Sequence, residues 1–421
     1  LSILYQFIVT LSQGILPIAA LFSSKIKKFH SGRKDVFKQL NKELDPNKKT
    51  LWLHAASLGE YEQGVPVLEA LRQAYPKHQI LVSFFSPSGY EIRKNSTVAD
   101  CVCYLPMDSF KNARRFVRQI NPSLALFVKY EVWPNYMLAL QEAAVPTILF
   151  SGIFRPSQIY FKWYGGLMRE SLQGFSRILV QDSDSIKVLA AIGISNTALT
   201  GDTRFDRVHS LALHPKALPT NLDPLIQNFI GQTPCMVAGS VWPEDLEVLA
   251  PALVQHPNSL KIILAPHKVD PSHIASLVDL LPETLKETSC LLSKASVNHI
   301  SKANILIVDQ IGILNSLYPL AQMAFIGGGF KTGLHNTLEA AVYGIPLAIG
   351  PDFNRFREAV ELVQLGGAYV VNNSRDAAQF LERANEINYQ KEVHEIQKKY
   401  LASQLGSTQK IMLEIEHMIT E

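Results

Sequence analysis

Two glutamates stand where a carboxylate can do chemistry. In "LWLHAASLGEYEQGVPVLEAL", Glu60 falls between an apolar run and an amphipathic helical pattern. In "LALFVKYEVWPNYM", Glu131 repeats the arrangement, with Trp133 and Pro134 stiffening the turn. An acid so placed can take a proton from a hydroxyl as a general base. Read singly, each is also explained as a first-turn acid favoured by the helix dipole; two in one half of the chain point to a polar site. In "LTGDTRFDRV", Arg204 is flanked by Asp202 and Asp206. Its guanidinium can fork onto a phosphate or carboxylate, and a surface ion pair explains it equally well.

The second half carries residue types suited to holding an anion. "VAGSVWPEDLEVL" sets Gly239 and Ser240 after an apolar run, and Pro243 and Glu244 open a helix whose first amides are expected to be free for an anion. "ILAPHKVDPSH" supplies His267 and Lys268, and "IVDQIGILNSLY" supplies Asp309 and the turn Ile311, Gly312, Ile313. "GGGFKTGLHNTLEAAVYGIPLAIGP" crowds Gly327, Gly328 and Gly329 before His335, Asn336 and Glu339. The glycines are expected to let backbone approach a ligand. "LEAAVYG" reads as a helix closed by Gly344, its positive end aimed at the anion. Together these strand ends predict a nucleotide pocket. No G-x-x-x-x-G-K-[ST] loop occurs, and no G-x-G-x-x-G turn is followed by its acid, which turns the reading away from phosphate hydrolysis and hydride transfer.

These residues must be positioned by the elements around them. From residue 50 onward, short apolar runs alternate with helical patterns: "TLWLHAA", "QILVSFF", "CVCYL", "LALFV", "PTILF", "RILVQD" and "NTALTGD" in one series. "PCMVAGS", "LKIILAPH", "ANILIVD", "MAFIGGG", "PLAIG" and "AYVVNN" form a second. Near-continuous apolar strands separated by helices predict parallel sheets covered on both faces, here two doubly wound α/β domains. Ligands of such sheets bind beyond the carboxyl ends of the strands, where all the residues singled out above fall. A proline-bearing stretch without periodicity, placed at 209–225, reads as the linker.

A chain of 421 residues also exceeds what one core usually fills, and 47% hydrophobic with 18% charged residues excludes a disordered protein. The net charge of +3 is too small to predict nucleic acid as a partner. It is unevenly spread, because residues 25–49 hold nine Lys/Arg against three Asp/Glu. Before them, residues 1–24 carry no charge at all, an apolar segment followed by a basic one. Such a segment can cross a bilayer, lie in its interface or be buried as a first helix; Gln6, Thr10, Gln13 and Pro17 draw a weakly polar stripe along one face. Membrane association is the expectation, with the basic residues against anionic lipid. Among the four cysteines only Cys101 and Cys103 are close, as packing residues on one strand face, so no metal site is predicted and a reducing compartment fits.

Five segments in this order, "WLHAASLGE", "YEVWPN", "TGDTRFD", "GGGFKTGLHNTLEAA" and "GPDFNRFRE", resemble the 3-deoxy-D-manno-octulosonic acid (Kdo) transferases of lipopolysaccharide synthesis, over essentially the whole chain. The resemblance implies a glycosyltransferase-B fold, two Rossmann-like domains facing a central cleft, preceded by a membrane-associating helix. It implies an acceptor-binding domain over 25–208 and a CMP-Kdo-binding domain over 226–421, whose last helix packs back on the first. It implies an inverting transfer of Kdo from CMP-Kdo to a hydroxyl of the lipid A precursor lipid IVA, at the cytoplasmic face of the inner membrane and without a cofactor. Carried over by motif, Glu60 is the base, Glu131 the second essential acid, and Arg204 stands where the family has a lysine. Donor contacts carry over to His267, Lys268, Ile311, Gly312, Ile313, and Asn336, Thr337, Leu338 and Glu339, with threonine at 337 where the family has proline. Rival readings are a sialyltransferase-like or UDP-sugar enzyme of the same fold, and a membrane-bound nucleotide-sugar binder without turnover.

Overall fold

The computed structural model describes residues 2–256, 259–296 and 300–419. The chain divides into two compact units: residues up to Arg207 together with those from Gln404 onward, and Val208–Ser403.

In the first unit, β1 (Thr50–Ala55), β2 (Gln79–Phe84), β3 (Cys101–Tyr104), β4 (Pro122–Val128), β5 (Thr147–Gly152), β6 (Arg177–Val180) and β7 (Thr197–Leu199) form one sheet. Its order is β3-β2-β1-β4-β5-β6-β7. Every pairing is parallel. The apolar runs are nearly continuous because both faces are buried. Trp52, Leu81, Cys101, Cys103, Ala125 and Phe127 pack on one side, under the helices that carry Val36, Leu40, Phe116 and Tyr136. Leu51, Leu53, Val82, Val102, Leu126 and Val128 pack on the other, under Tyr61, Val65, Leu68 and Leu71 of the helix Leu58–Ala74. Each fully buried side chain of this kind contributes roughly 1.5–3 kcal/mol relative to exposure.

The helix Ser407–Glu416 belongs to this unit and buries Ile411, Met412 and Ile415 in the second of those layers. Asp206 accepts from the amides of Gly406 (2.8 Å) and Thr408 (2.6 Å), and Arg177 forks onto Glu414 with two bonds of 2.8 Å.

The N-terminal segment forms the helix Ser2–Ala19, interrupted by no charge and containing Pro17. One face meets the protein, where Tyr5 donates to Asp108, Gln6 to Asn135, and Val9 is buried, while Thr10 and Pro17 of the polar stripe are exposed. Ile3, Leu4, Phe7, Ile8, Leu11, Ile15 and Ile18 are exposed. Among the described residues no helix is long and apolar enough to cross a membrane.

The second unit repeats the plan with β8 (Cys235–Val241), β9 (Lys261–Pro266), β10 (Ser289–Leu291), β11 (Ile305–Ile307), β12 (Met323–Ile326), β13 (Leu347–Ile349) and β14 (Tyr369–Val370). The order is β10-β11-β9-β8-β12-β13-β14, again all parallel. One of these strands has no counterpart among the apolar runs of the sequence: β10 is a three-residue edge strand, half-buried, with too little apolar surface to show a pattern. The helix expected over "LEAAVYG" is also shorter than its pattern. Only Leu338–Ala341 is helical, and Val342 to Gly344 form a turn. One turn of helix has little of the aligned dipole that the sequence reading assigned to it.

Candidate active site

Both sheets reverse their winding direction at one place, where a ligand crevice forms beyond the strand ends. In the first unit that place lies between β1 and β4, and Glu60 and Glu131 follow those two strands. Glu60 is the third residue of its helix. Its carboxylate turns back to accept from the amides of Ala56 (2.5 Å) and Ser57 (3.1 Å), closing donors that the helix start leaves open. The capping role and the chemical role therefore fall on one side chain. Burial, and next the charge of Glu131, push this carboxyl up to about 7, against those two amides and Lys129. A base titrating near neutrality suits proton abstraction.

Glu131 is held from two sides. His54 Nε2 lies 3.2 Å and Trp133 Nε1 2.9 Å from its Oε2. Lys129 occupies the left-handed region (φ 61°), a conformation that costs a non-glycine residue on the order of 1 kcal/mol and recurs at functional sites. The Gln63 carboxamide, oriented with its oxygen toward the cations, stands 3.2 Å from both Lys129 Nζ and Arg204 Nε. Arg204 also bonds Asp202, Nε at 2.8 Å and Nη2 at 2.7 Å. Thr203 anchors the turn by donating to the Gln63 carbonyl at 2.7 Å. Glu60, Glu131 and Arg204 thus gather at one end of this sheet: Gln63 joins Arg204 to Lys129, and the charges of Lys129 and Glu131 both act on Glu60. Sequence reasoning passed over His54, Gln63 and Lys129. The available signal was a histidine and a lysine interrupting otherwise apolar strands.

In the second unit the reversal lies between β8 and β12, whose ends carry Ser240 and Gly327–Gly329. Ser240, like Lys129, has a positive φ (56°). Three rings form a stack beside it. Trp242 lies face to face with His267 (centroids 4.3 Å, 21° between planes), and His267 tilts against His335 at 4.5 Å. Lys268 Nζ stands 5.1 Å over the Trp242 ring. Burial first, and His267 second, depress His335 to about 4, so it is a neutral hydrogen-bonding ring at physiological pH. Trp242 Nε1 points at its Nε2 from 3.4 Å, which leaves the proton on Nδ1.

One expectation for this unit needs correction. The amides at the start of the helix Pro243–Leu253 are not simply free for an anion: Asp245 accepts from the Trp242 amide and the Gly328 amide, each at 2.8 Å. The glycines are required by the protein's own backbone. A Cβ at Gly328 would stand 2.3 Å from the Gly333 oxygen, and one at Gly329 would stand 2.7 Å from the Gly350 nitrogen. Thr337 and Leu338 are fully buried. Asn336 donates to Glu339 at 3.1 Å. Ile311, Gly312 (φ 92°) and Ile313 form the turn before the short helix Leu314–Leu317, with Ile311 exposed and Ile313 buried. Asn315 of that helix lines a hollow with Glu339 and Tyr343. Lys331 pairs with Glu244 at 2.8 Å on the surface. Trp242, the outer ring of the stack, was missed because a tryptophan before a proline reads as a packing residue.

Comparison with known proteins places this geometry. Residues 31–207 match the family model described as 3-deoxy-D-manno-octulosonic-acid transferase (kdotransferase). The 3-deoxy-D-manno-octulosonic acid transferase of Aquifex aeolicus is 27% identical over 365 residues, 84% of this chain and 92% of that protein. The enzyme of the same name from Haemophilus influenzae is 29% identical over 355 residues, covering 81% and 79%. In three dimensions the chain is similar to the UDP-GlcNAc 2-epimerase of Neisseria meningitidis bound to UDP-GlcNAc (TM-score 0.61, 15% identity, 87% and 98% of the two chains), a likeness of fold alone. The two doubly wound sheets are those of the glycosyltransferase-B fold, and over most of its length the chain is similar to the 3-deoxy-D-manno-octulosonic acid transferases.

Proposed function

We propose that this enzyme transfers Kdo from CMP-Kdo to a hydroxyl of a lipid A precursor of the lipid IVA type, with inversion and with Glu60 as the general base. The observation that carries the proposal is a half-buried carboxyl titrating near 7 beside a second carboxylate, at the reversal point of the first sheet. The ionised Glu60 takes the proton of the acceptor hydroxyl. The oxygen forms a bond to the anomeric carbon while the bond from that carbon to the CMP phosphate breaks, and CMP leaves with the electron pair. Because the donor is already activated, no covalent enzyme intermediate is needed. Base assistance supplies roughly 10²–10⁴-fold, and positioning with electrostatic stabilisation the remainder.

Arg204 and Lys129 are the cations of the acceptor-side site. The ring stack of Trp242, His267 and His335, with Lys268 above it, is the donor-side site. The backbone of the segment from Gly328 to Glu339 completes it. The exposed apolar face of the helix Ser2–Ala19, followed by the basic residues 25–49, suits attachment to an anionic membrane surface, at the cytoplasmic face of the inner membrane. No step is routed through a metal or cofactor.

The test is mass spectrometry of the product made from lipid IVA with CMP-Kdo, and in parallel with CMP-sialic acid and UDP-sugars. A mass gain of one or more Kdo units only with CMP-Kdo is expected. Transfer from a UDP-sugar or CMP-sialic acid instead, or from none of them, would overturn the proposal.

A further inference from the structure

We propose that His54, which the acceptor never needs to touch, is a positioning residue for the transfer: it holds the Glu131 carboxylate fixed in place beside Glu60. The inference rests on the reading of Glu60 as the base and adds to it a residue on which that base depends. His54 lies next to the last residue of β1, wholly buried, with Leu53 and Ala55 on either side. A buried imidazole is costly unless both ring nitrogens are satisfied. Here both are, by groups that choose its tautomer. Trp52 Nε1 donates to Ser83 Oγ at 2.8 Å, so the Ser83 hydroxyl keeps its own proton to give. His54 Nδ1 lies 2.9 Å from that oxygen and accepts it. The His54 proton is then on Nε2, directed at Glu131 Oε2 3.2 Å away. Trp133 Nε1 is 3.2 Å from His54 Nε2 but 2.9 Å from Glu131 Oε2, and its single proton goes to the nearer, charged acceptor.

The second donor is fixed as firmly as the first. The Trp133 ring packs on Phe85 at 4.7 Å between centroids, and the Phe85 carbonyl accepts from the half-buried Arg33 at 2.6 Å. The direction of proton donation, Trp52 to Ser83 to His54 to Glu131, runs one way and ends on a carboxylate that is only 12% exposed. Other titratable groups acting on this carboxylate are Glu60 from the helix Leu58–Ala74 and Tyr160 from the turn Ile159–Phe161. Lys129, two residues before Glu131, acts on the same pair through Glu60. Removing the His54 N–H takes away a bond that favours the charged form of Glu131. The Glu131 carboxylate is then no longer held beside Glu60, and its repulsion of Glu60 weakens.

His54→Phe keeps a ring of similar size and deletes both nitrogens; His54→Gln restores an N–H of comparable reach. The expected result for His54→Phe is a kcat reduced roughly tenfold or more, equivalent to about 1.4 kcal/mol. KM for CMP-Kdo should stay within about twofold. The acid limb of the kcat profile should move to lower pH, with His54→Gln close to the parent. A direct readout is the ¹⁵N shifts of the His54 ring, which should show the proton on Nε2 in the parent whatever the role of Glu60. If His54→Phe does not fold, Ser83→Ala frees the tautomer while keeping the ring, and the same move of the acid limb is expected. An unmoved acid limb with only lower activity or Tm, or a His54 proton found on Nδ1, overturns the proposal. Full activity of Glu60→Gln would instead overturn the base assignment, and leaves the ring ¹⁵N shifts to judge His54 by themselves.

Discussion

Replacing Glu60 by glutamine keeps the shape and removes the charge, and activity and stability are predicted to move in opposite directions. Burial above all, and then Glu131, lift this carboxyl from 4.5 to about 7 in the folded protein. Below pH 4.5 it is protonated in both the folded and the unfolded chain and makes no difference. Between those values the unfolded chain has lost a proton that the folded one keeps, so stability falls as the pH rises. Above 7 both are ionised and the whole cost is present, about 3 kcal/mol at 1.36 kcal/mol per unit. Glutamine carries none of that cost, and its amide oxygen still accepts from Ala56 and Ser57. Urea unfolding should therefore find Glu60→Gln more stable than the parent at pH 8, by up to about 3 kcal/mol, with the gap closing toward pH 4.5. Kdo transfer should fall roughly 10²–10⁴-fold, and the parent rate should climb through about pH 7. A variant with no gain in stability at pH 8 refutes the raised carboxyl. Near-parental turnover refutes the base. A helix cap alone would give neither the gain nor the loss.

Three other outcomes follow from the same reasoning. Trp242→Ala removes the face on which His267 lies, so KM for CMP-Kdo should rise several-fold in initial-rate kinetics while KM for the acceptor stays level. Gly329→Ala puts a methyl 2.7 Å from the Gly350 nitrogen; thermal denaturation should show a loss on the order of 1–3 kcal/mol, because backbone rather than a mobile side chain must give way. Phe7→Glu with Ile8→Glu charges the exposed face of the first helix. That protein should no longer sediment with vesicles of equal parts phosphatidylglycerol and phosphatidylethanolamine, while turnover in detergent is unchanged.

Much of the architecture is legible in the chain because parallel strands buried on both faces must be apolar along their whole length. β1, β4, β8 and β12 each appear as such a run, whereas β10, three half-buried residues at a sheet edge, leaves no trace. The one-turn helix at Leu338 shows the converse error: its buried residues repeat as a longer helix would, but the chain turns at Val342. The glycine run was readable as a place of close approach but not as approach to what. Gly350, the neighbour that requires Gly329, belongs to another strand end and is named only by the packing.

By itself the sequence determined the alternation of strands and helices, the strand-end acids Glu60 and Glu131, and the cation at Arg204. Those are local properties: hydrophobic period, a turn residue, a charge at a boundary. Only the tertiary structure decided that β4 lies beside β1. That adjacency brings His54 to a carboxylate 77 positions away, while β2 on the other side of β1 brings it a serine 29 positions away. It also surrounds Glu60 with enough protein to lift its carboxyl to about 7. Proton affinity depends on what water is excluded and which charges stand nearby, and a linear chain specifies those only once it has folded.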